Sequence, residues 1–146
     1  MSQVTFEKDG AVGIVTMSKP PHNLIDEAFL TGLIAAYDRA LKDGCRAILL
    51  RSSMRHFCAG ADVKAFITAD MGASKKDSKD SSTDRAGLEK MLSKLEDIPL
   101  PTVAAVHGVA LGGGLELAVS CDMIVAADTA TFAMSESALG LLPLLG

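Results

Sequence analysis

Cysteine is scarce in this chain. Cys45, Cys58 and Cys121 are the only three among 146 residues, and none stands at metal-ligand spacing from another. An odd, scattered set of this kind points to reduced thiols in a cytosolic protein rather than to a disulfide framework or a cysteine-bound metal. Surplus positive charge is missing too. The formal net charge of −4 offers no general attraction to nucleic acid or to an anionic membrane, so an anionic ligand has to be held by local groups. No apolar run reaches the ~18 uninterrupted residues of a membrane-crossing helix, because His107, the glycines and Glu116 interrupt the longest one. The opening "MSQVTFEKDG" has neither the apolar core of a secretion signal nor the Arg-rich pattern of an organelle-targeting segment.

What is present is an ordinary globular balance, 49% hydrophobic and 22% charged, in a length that suits one domain with a real core. "VTFEK" and "AVGIVTMS" flank Asp9-Gly10, a strong hairpin signal. In "KPPHNL" two prolines forbid a helix and favour an extended connection. The spacing of Leu30, Leu33, Ile34, Tyr37, Ala40 and Leu41 predicts a helix from Asp26 to Asp43, with Asn23 or Asp26 as its cap and Gly44 just past its end. "RAILLRS" and "TVAAVHG" are continuous apolar runs, as expected of strands buried on both faces, the second running straight into a glycine cluster. A second helix carries Leu88, Met91, Leu92, Leu95 and Ile98 and is stopped by Pro99 and Pro101, and "DMIVAAD" and "ATFAMS" read as later strands. "SMRHFCAGADVKAF" is a loop entering a short helix, and residues 71–84, almost free of large apolar groups, are expected to form a mobile surface loop. No internal repeat is visible. Helices alternate with buried strands, so the class is α/β. "ALGLLPLLG" stops directly after an apolar run, so residues 1–146 are expected to be one domain cut short at its C-terminal end.

The stretch "GVALGGGLELA", Gly108 to Ala118, sets three consecutive glycines and a glutamate inside an apolar segment. Glycine costs about 1 kcal/mol in a helix interior, and burying an unpaired carboxylate costs more, so both need a reason. A P-loop is excluded, because Leu115 and Glu116 stand where that motif needs Lys and Ser or Thr. The dinucleotide fingerprint fails as well, since Leu117 holds the place of its third glycine. A turn at which substrate and backbone approach closely remains, and unshielded N–H groups at a helix start can stabilise a forming oxyanion. Tight strand-to-helix packing is the alternative this stretch alone leaves open. "HFCAGADVK", His56 to Lys64, is a second glycine turn, flanked by alanines, and two such turns can supply two donors to one oxygen.

Together "FCAGADVK" and "AAVHGVALGGGLELAVSCDMIVAADTATFAMSE" resemble the enoyl-CoA hydratase/isomerase, or crotonase, family, and the resemblance runs from the hairpin through "PPHNLID" to "LGLLP". It implies a crotonase-like superhelix of repeated ββα units, with this chain as the N-terminal core lacking the C-terminal helices. It implies oxyanion-hole donors at the backbone N–H of Ala61 and Gly113, and catalytic carboxylates at Glu116 and Glu136. His22 and Leu24 match a loop that contacts the CoA nucleotide. Ala59, Ala61, Asp62, Val63 and Lys64 match the segment along the thioester and pantetheine, and Leu111, Gly112 and Gly113 complete the implied substrate-binding set. The substrate would be an acyl-CoA thioester, with coenzyme A as part of it and neither a metal nor a separate cofactor. The protein would be a cytoplasmic trimer or hexamer without nucleic-acid or membrane partners. "LLPLLG" departs from the commoner "PGAGG"-like continuation.

Hydrating an enoyl thioester puts negative charge on the thioester oxygen, requires water to be deprotonated and requires a proton at the α-carbon. Glu116 is expected to activate the water and Glu136 to supply the proton, or the reverse, with burial and mutual repulsion raising their pKa values. Taken singly, each residue has a plainer reading. Glu116 complements a helix dipole, Glu136 lies on the surface near a turn, His107 is a core histidine satisfied by backbone and His56 is solvated. Asp122 and Asp128 cap or pair, and Lys75, Lys76 and Lys79 are solvated loop charges. The joint pattern favours catalysis. Within the family one carboxylate suffices for double-bond isomerisation, and a non-catalytic CoA-ester-binding module is the alternative of a different class. A serine-peptidase relative would need a nucleophile on the glycine turn, and neither Ser nor Cys stands between Gly108 and Glu116.

Overall fold

The computed structural model describes residues 2–61 and 85–134. Within them the strands are β1 (Val4–Asp9), β2 (Val12–Met17), β3 (Ala47–Ser52), β4 (Thr102–Val106), β5 (Val109–Leu111), β6 (Met123–Ala126) and β7 (Thr131–Ala133). The helices are α1 (Glu27–Lys42), α2 (Arg85–Glu96) and α3 (Gly113–Val119). Asp9 and Gly10 turn the chain as their composition predicts, and β1 and β2 pair antiparallel with Val4 opposite Met17 and Asp9 opposite Val12. Every later pairing in the main sheet is parallel, and its order is β1-β2-β3-β4-β6.

Of the two candidate caps for α1, Asp26 does the work. It is extended, and its carboxylate accepts the Phe29 N–H at 2.8 Å. Burial opposes ionisation of Asp26, but bonds from Lys19 and the Phe29 N–H overcome it and hold the carboxyl below its usual range. The helix buries Phe29, Leu30, Leu33, Ala36, Tyr37 and Ala40, and each large apolar side chain so placed stabilises the fold by roughly 1.5–3 kcal/mol. From α2, Leu88, Leu92 and Leu95 join the same core, and Pro99 follows its end.

The strand runs depart from expectation in one respect. In β3, Ile48 and Leu50 are fully buried while Ala47 and Leu49 are only half-buried. One face contributes to the core that α1 and α2 share; among the described residues the other is covered only in part. β6 is exposed along its whole length among those residues.

A second row of short parallel pairings runs beside the main sheet. Ala61 bridges Ile25, Cys58 bridges Ala110, and β5 pairs with β7, Val109 opposite Thr131. The chain therefore repeats a unit: a strand in the main sheet, a short strand in the second row, then a helix, as in β4–β5–α3. The repeat lives in backbone pairing, which any side chains can satisfy, and so leaves no repeat in the residues. Asp122 ties two turns of this spiral together. Its carboxylate accepts the Thr102 N–H at 2.7 Å and the Thr102 hydroxyl at 2.9 Å, and these bonds hold its pKa below the usual carboxylate value.

Candidate active site

The site is assembled around Asn23. This residue is fully buried and left-handed at φ +53°, a conformation that asparagine tolerates better than most residues. Its side-chain oxygen accepts the Lys19 N–H at 2.8 Å, and its amide donates to Ser52 Oγ at 2.8 Å and to the Phe57 carbonyl at 2.9 Å. The Asn23 carbonyl accepts the Cys58 thiol at 3.0 Å. Ala59 N–H donates to the His22 carbonyl and Ile25 N–H to that of Gly60. From the other side, Phe57 and Cys58 donate to the carbonyls of His107 and Val109, and Leu111 donates back to Cys58. Residues 57–61 are thus an extended segment clamped on both edges, with Ala61 at its end. A lone Asn after two prolines signals at most a possible helix cap and carries no sequence mark of such a role.

Each glycine of the triplet answers a different demand. Gly112 takes φ +48°, ψ −124°, a backbone shape that a side chain resists. Its carbonyl accepts the N–H of Leu115 and of Glu116, which starts α3. At Gly114 a methyl group would overlap the Cys58 carbonyl and lie 2.8 Å from Cys58 Cβ, so α3 rests directly on the clamped segment. At Gly113 a methyl group would meet only ordinary contacts, 3.4 Å from Ile25 Cδ1, 3.7 Å from Ala61 N and 3.7 Å from Glu116 Oε2. The end of the clamped segment, the start of α3 and the glutamate carboxylate therefore converge on one point. Among the described residues neither the Ala61 N–H nor the Gly113 N–H donates to a protein acceptor.

Glu116 is 1% exposed in the first turn of α3. It also forms part of the wall of a cavity of about 370 Å³, lined by Glu89, Ser93 and Glu96 of α2, by Val119 and Ser120 of α3, and by Met134. That volume falls within the ~300–1,000 Å³ typical of small-molecule sites.

The three histidines gather on the opposite end of the clamped segment. His107 Nε2 lies 2.7 Å from the Met54 carbonyl, the backbone-satisfied arrangement expected of it. His56 is not simply solvated: it is half-buried, 5.5 Å from the His22 ring, and its Nδ1 is buried without a partner among the described residues. Burial, then Arg55, His22 and His107, hold its pKa down. Leu24 is half-buried and its carbonyl accepts Lys19 Nζ at 2.7 Å, while the same ammonium pairs with Asp26. Burial pushes the Cys58 thiol up to about 11, which keeps it protonated and unreactive near neutral pH.

Of the residues singled out in the sequence, Ala61, Gly112, Gly113 and Glu116 come together. Leu111 and Ala59 are bonded along the two edges of the clamped segment, and His22 lies toward its far end. Asp62, Val63, Lys64 and Glu136 lie outside the described residues, as does the stretch 71–84. Among the described residues no cluster of three or more His, Cys, Asp or Glu side chains could hold a metal ion, and no helix is long and apolar enough to cross a membrane.

Known proteins match this chain over nearly all of its length. The pattern of the family described as "Enoyl-CoA hydratase/isomerase" matches residues 7–146. A Bacillus subtilis (strain 168) protein named "Probable enoyl-CoA hydratase" is 35% identical over 98% of this chain and 54% of its own length. The 2,3-dehydroadipyl-CoA hydratase of Escherichia coli K12 is 30% identical over 98% of this chain and 53% of its own. An enoyl-CoA hydratase from Polaromonas sp. JS666 superimposes with a TM-score of 0.84 at 29% identity, covering 96% of this chain and 54% of that structure. The chain thus spans about half the length of each of these relatives. With a family pattern covering all but the first six residues, and the same spiral of strands in its solved relatives, the chain belongs to the enoyl-CoA hydratase/isomerase (crotonase) family.

Proposed function

We propose that this protein adds water across the α,β double bond of an enoyl-CoA thioester. The observation that carries this reading is the meeting of Ala61 N, Gly113 and Glu116 Oε2 around one point. A thioester oxygen placed there accepts the Ala61 and Gly113 N–H groups, and these donors stabilise the negative charge that develops as the enolate forms. Glu116 takes a proton from water as its oxygen attacks the β-carbon. Glu136 delivers a proton to the α-carbon; it follows Met134, a residue of the cavity wall, by two positions. His22, Leu24, Asp62, Val63 and Lys64 extend the site toward the CoA arm in this reading. The names of the relatives above favour hydration over isomerisation.

The test is loss of the conjugated-thioester absorbance when crotonyl-CoA meets the full-length protein, run beside Glu116→Gln. The variant is isosteric and cannot accept the proton, so kcat is expected to fall by about 10²–10⁴-fold while ester binding is kept. Full activity in the variant, or a parent that binds the ester and never turns it over, would overturn hydration by Glu116.

A further inference from the structure

The two N–H groups assigned to the thioester oxygen are fixed by different parts of the chain. Gly113 opens α3, and the residue before it is anchored: Gly112 N–H donates to the Ala133 carbonyl at 2.8 Å, and its own carbonyl accepts the Leu115 and Glu116 N–H groups. Ala61 instead ends the clamped segment and inherits its place from residues 22–25. Ala59 N–H donates to the His22 carbonyl at 3.0 Å, Ile25 N–H donates to the Gly60 carbonyl at 2.9 Å, and Ile25 bridges Ala61. Asn23 stands between the two residues that make these bonds. Its carbonyl accepts the Cys58 thiol at 3.0 Å, and its amide donates to the Phe57 carbonyl at 2.9 Å and to Ser52 Oγ at 2.8 Å. Its side-chain oxygen accepts the Lys19 N–H at 2.8 Å. One fully buried residue thus ties the clamped segment to the end of β3 and to the start of its own loop. A shift of Asn23 moves residues 22–25, and Ala61 moves with them.

We propose, on the enoyl-CoA reading given above, that Asn23 is a positioning residue for the oxyanion hole. It sets where the Ala61 N–H lies, and so governs how well the enolate oxygen is stabilised rather than how tightly the ester is held. A donor in the right place is rewarded far more by a developing oxyanion than by the neutral carbonyl of bound substrate. A misplacement of about 1 Å costs about 10²-fold in rate. Loss of the Asn23 side chain is therefore expected in kcat, with KM little changed.

The test compares Asn23→Gly with Asp122→Ala in the full-length protein, well below the melting temperature of either. Glycine takes the left-handed backbone without strain and keeps the carbonyl that Cys58 uses, so only the side-chain bonds are deleted. Asp122→Ala deletes two bonds to Thr102 beyond the far end of α3 and controls for lost stability alone. Two readouts are taken: kcat and KM on crotonyl-CoA, and the ultraviolet absorbance of the enolate formed by bound acetoacetyl-CoA, which rises with the strength of the donors on its oxygen. Asn23→Gly is expected to lose about 10²-fold in kcat, with KM within about threefold of the parent and a weakened enolate band. Asp122→Ala is expected to keep kcat and the band. Should Asn23→Gly fail to fold, Cys58→Ala and Cys58→Ser carry the test. The alanine loses the bond to the Asn23 carbonyl and should fall several-fold in kcat; the serine hydroxyl renews that bond and should recover most of the loss. Parent-like kcat in Asn23→Gly or Cys58→Ala, or an equal loss in Asp122→Ala, overturns the inference while leaving the hydratase reading in place. A parent that binds acetoacetyl-CoA without strengthening its enolate band overturns both.

Discussion

Replacing Gly113 and Gly114 by alanine, one at a time, separates a catalytic turn from a packing turn. At Gly113 the added methyl group sits in ordinary contact, no closer than 3.4 Å to any atom of the described residues outside its immediate chain neighbours and the backbone of its own helix. Gly113 begins α3 with an unremarkable backbone, so alanine should be neutral or stabilise by about 0.4–1 kcal/mol through the unfolded state. That corresponds to a Tm raised by at most a few degrees. The same methyl group lies 3.7 Å from both Ala61 N and Glu116 Oε2. An oxygen bonded to the Ala61 N–H has to sit about 2.9 Å from that nitrogen, and on the proposed function the methyl group crowds it. Loss of even one such donor costs about 10²–10³ in rate, and Gly113→Ala is expected to lose at least that. At Gly114 the methyl group overlaps the Cys58 carbonyl, and overpacking of this kind costs about 1–3 kcal/mol or more. Thermal melts and crotonyl-CoA turnover on both variants of the full-length protein give the readout. The expected pattern is crossed: Gly113→Ala stable and inactive, Gly114→Ala destabilised. A Gly113→Ala protein with activity within a few-fold of the parent, or one as destabilised as Gly114→Ala, would refute the reasoning and leave the triplet as a packing device.

Two further outcomes follow from the scaffold. Asn23→Ala removes the acceptor for Lys19 N–H and the donors to Ser52 and Phe57, in a left-handed conformation that alanine dislikes. At about 1 kcal/mol for each bond and 1–2 kcal/mol for the backbone, the loss should reach roughly 4 kcal/mol in chemical denaturation. A loss below about 1 kcal/mol would show that Asn23 does not hold the clamped segment. Asp26 has a folded pKa below its unfolded value: burial opposes ionisation, and the bonds from Lys19 and Phe29 outweigh it. Its contribution is therefore whole above the unfolded value of about 3.9 and is lost as pH falls through the lower folded value. Asp26→Asn, which keeps a capping oxygen, should flatten the acid limb of a stability–pH curve below about pH 4. An unchanged acid limb would mean that the Lys19–Asp26 pair adds nothing.

How far the residues alone reach varies along the chain. The hairpin at Asp9-Gly10, the span of α1, the body of α2 and its stop at Pro99 were legible because each rests on neighbours in sequence: a turn dipeptide, a helical stripe of Leu and Tyr, a proline. Membership in the crotonase family was legible too, from two motifs in order. β5 was not, because three residues between Gly108 and Gly112 carry no periodicity of their own and become a strand only by pairing with β7 and Cys58. The choice of Asp26 over Asn23 as cap was likewise open until the tertiary structure buried Asn23 among Lys19, Ser52 and Phe57.

Residue types alone show that two glycine turns and a glutamate need a reason to sit in an apolar setting. That Ala61, Gly113 and Glu116 meet at one point, and that a side chain at Gly114 would collide with Cys58 while one at Gly113 would not, follows from tertiary contacts alone. The division has a physical cause. Turns, caps and helical stripes are set by interactions within a few residues and leave a mark on residue type. The approach of distant backbone segments is set by hydrogen bonds between groups that every residue carries.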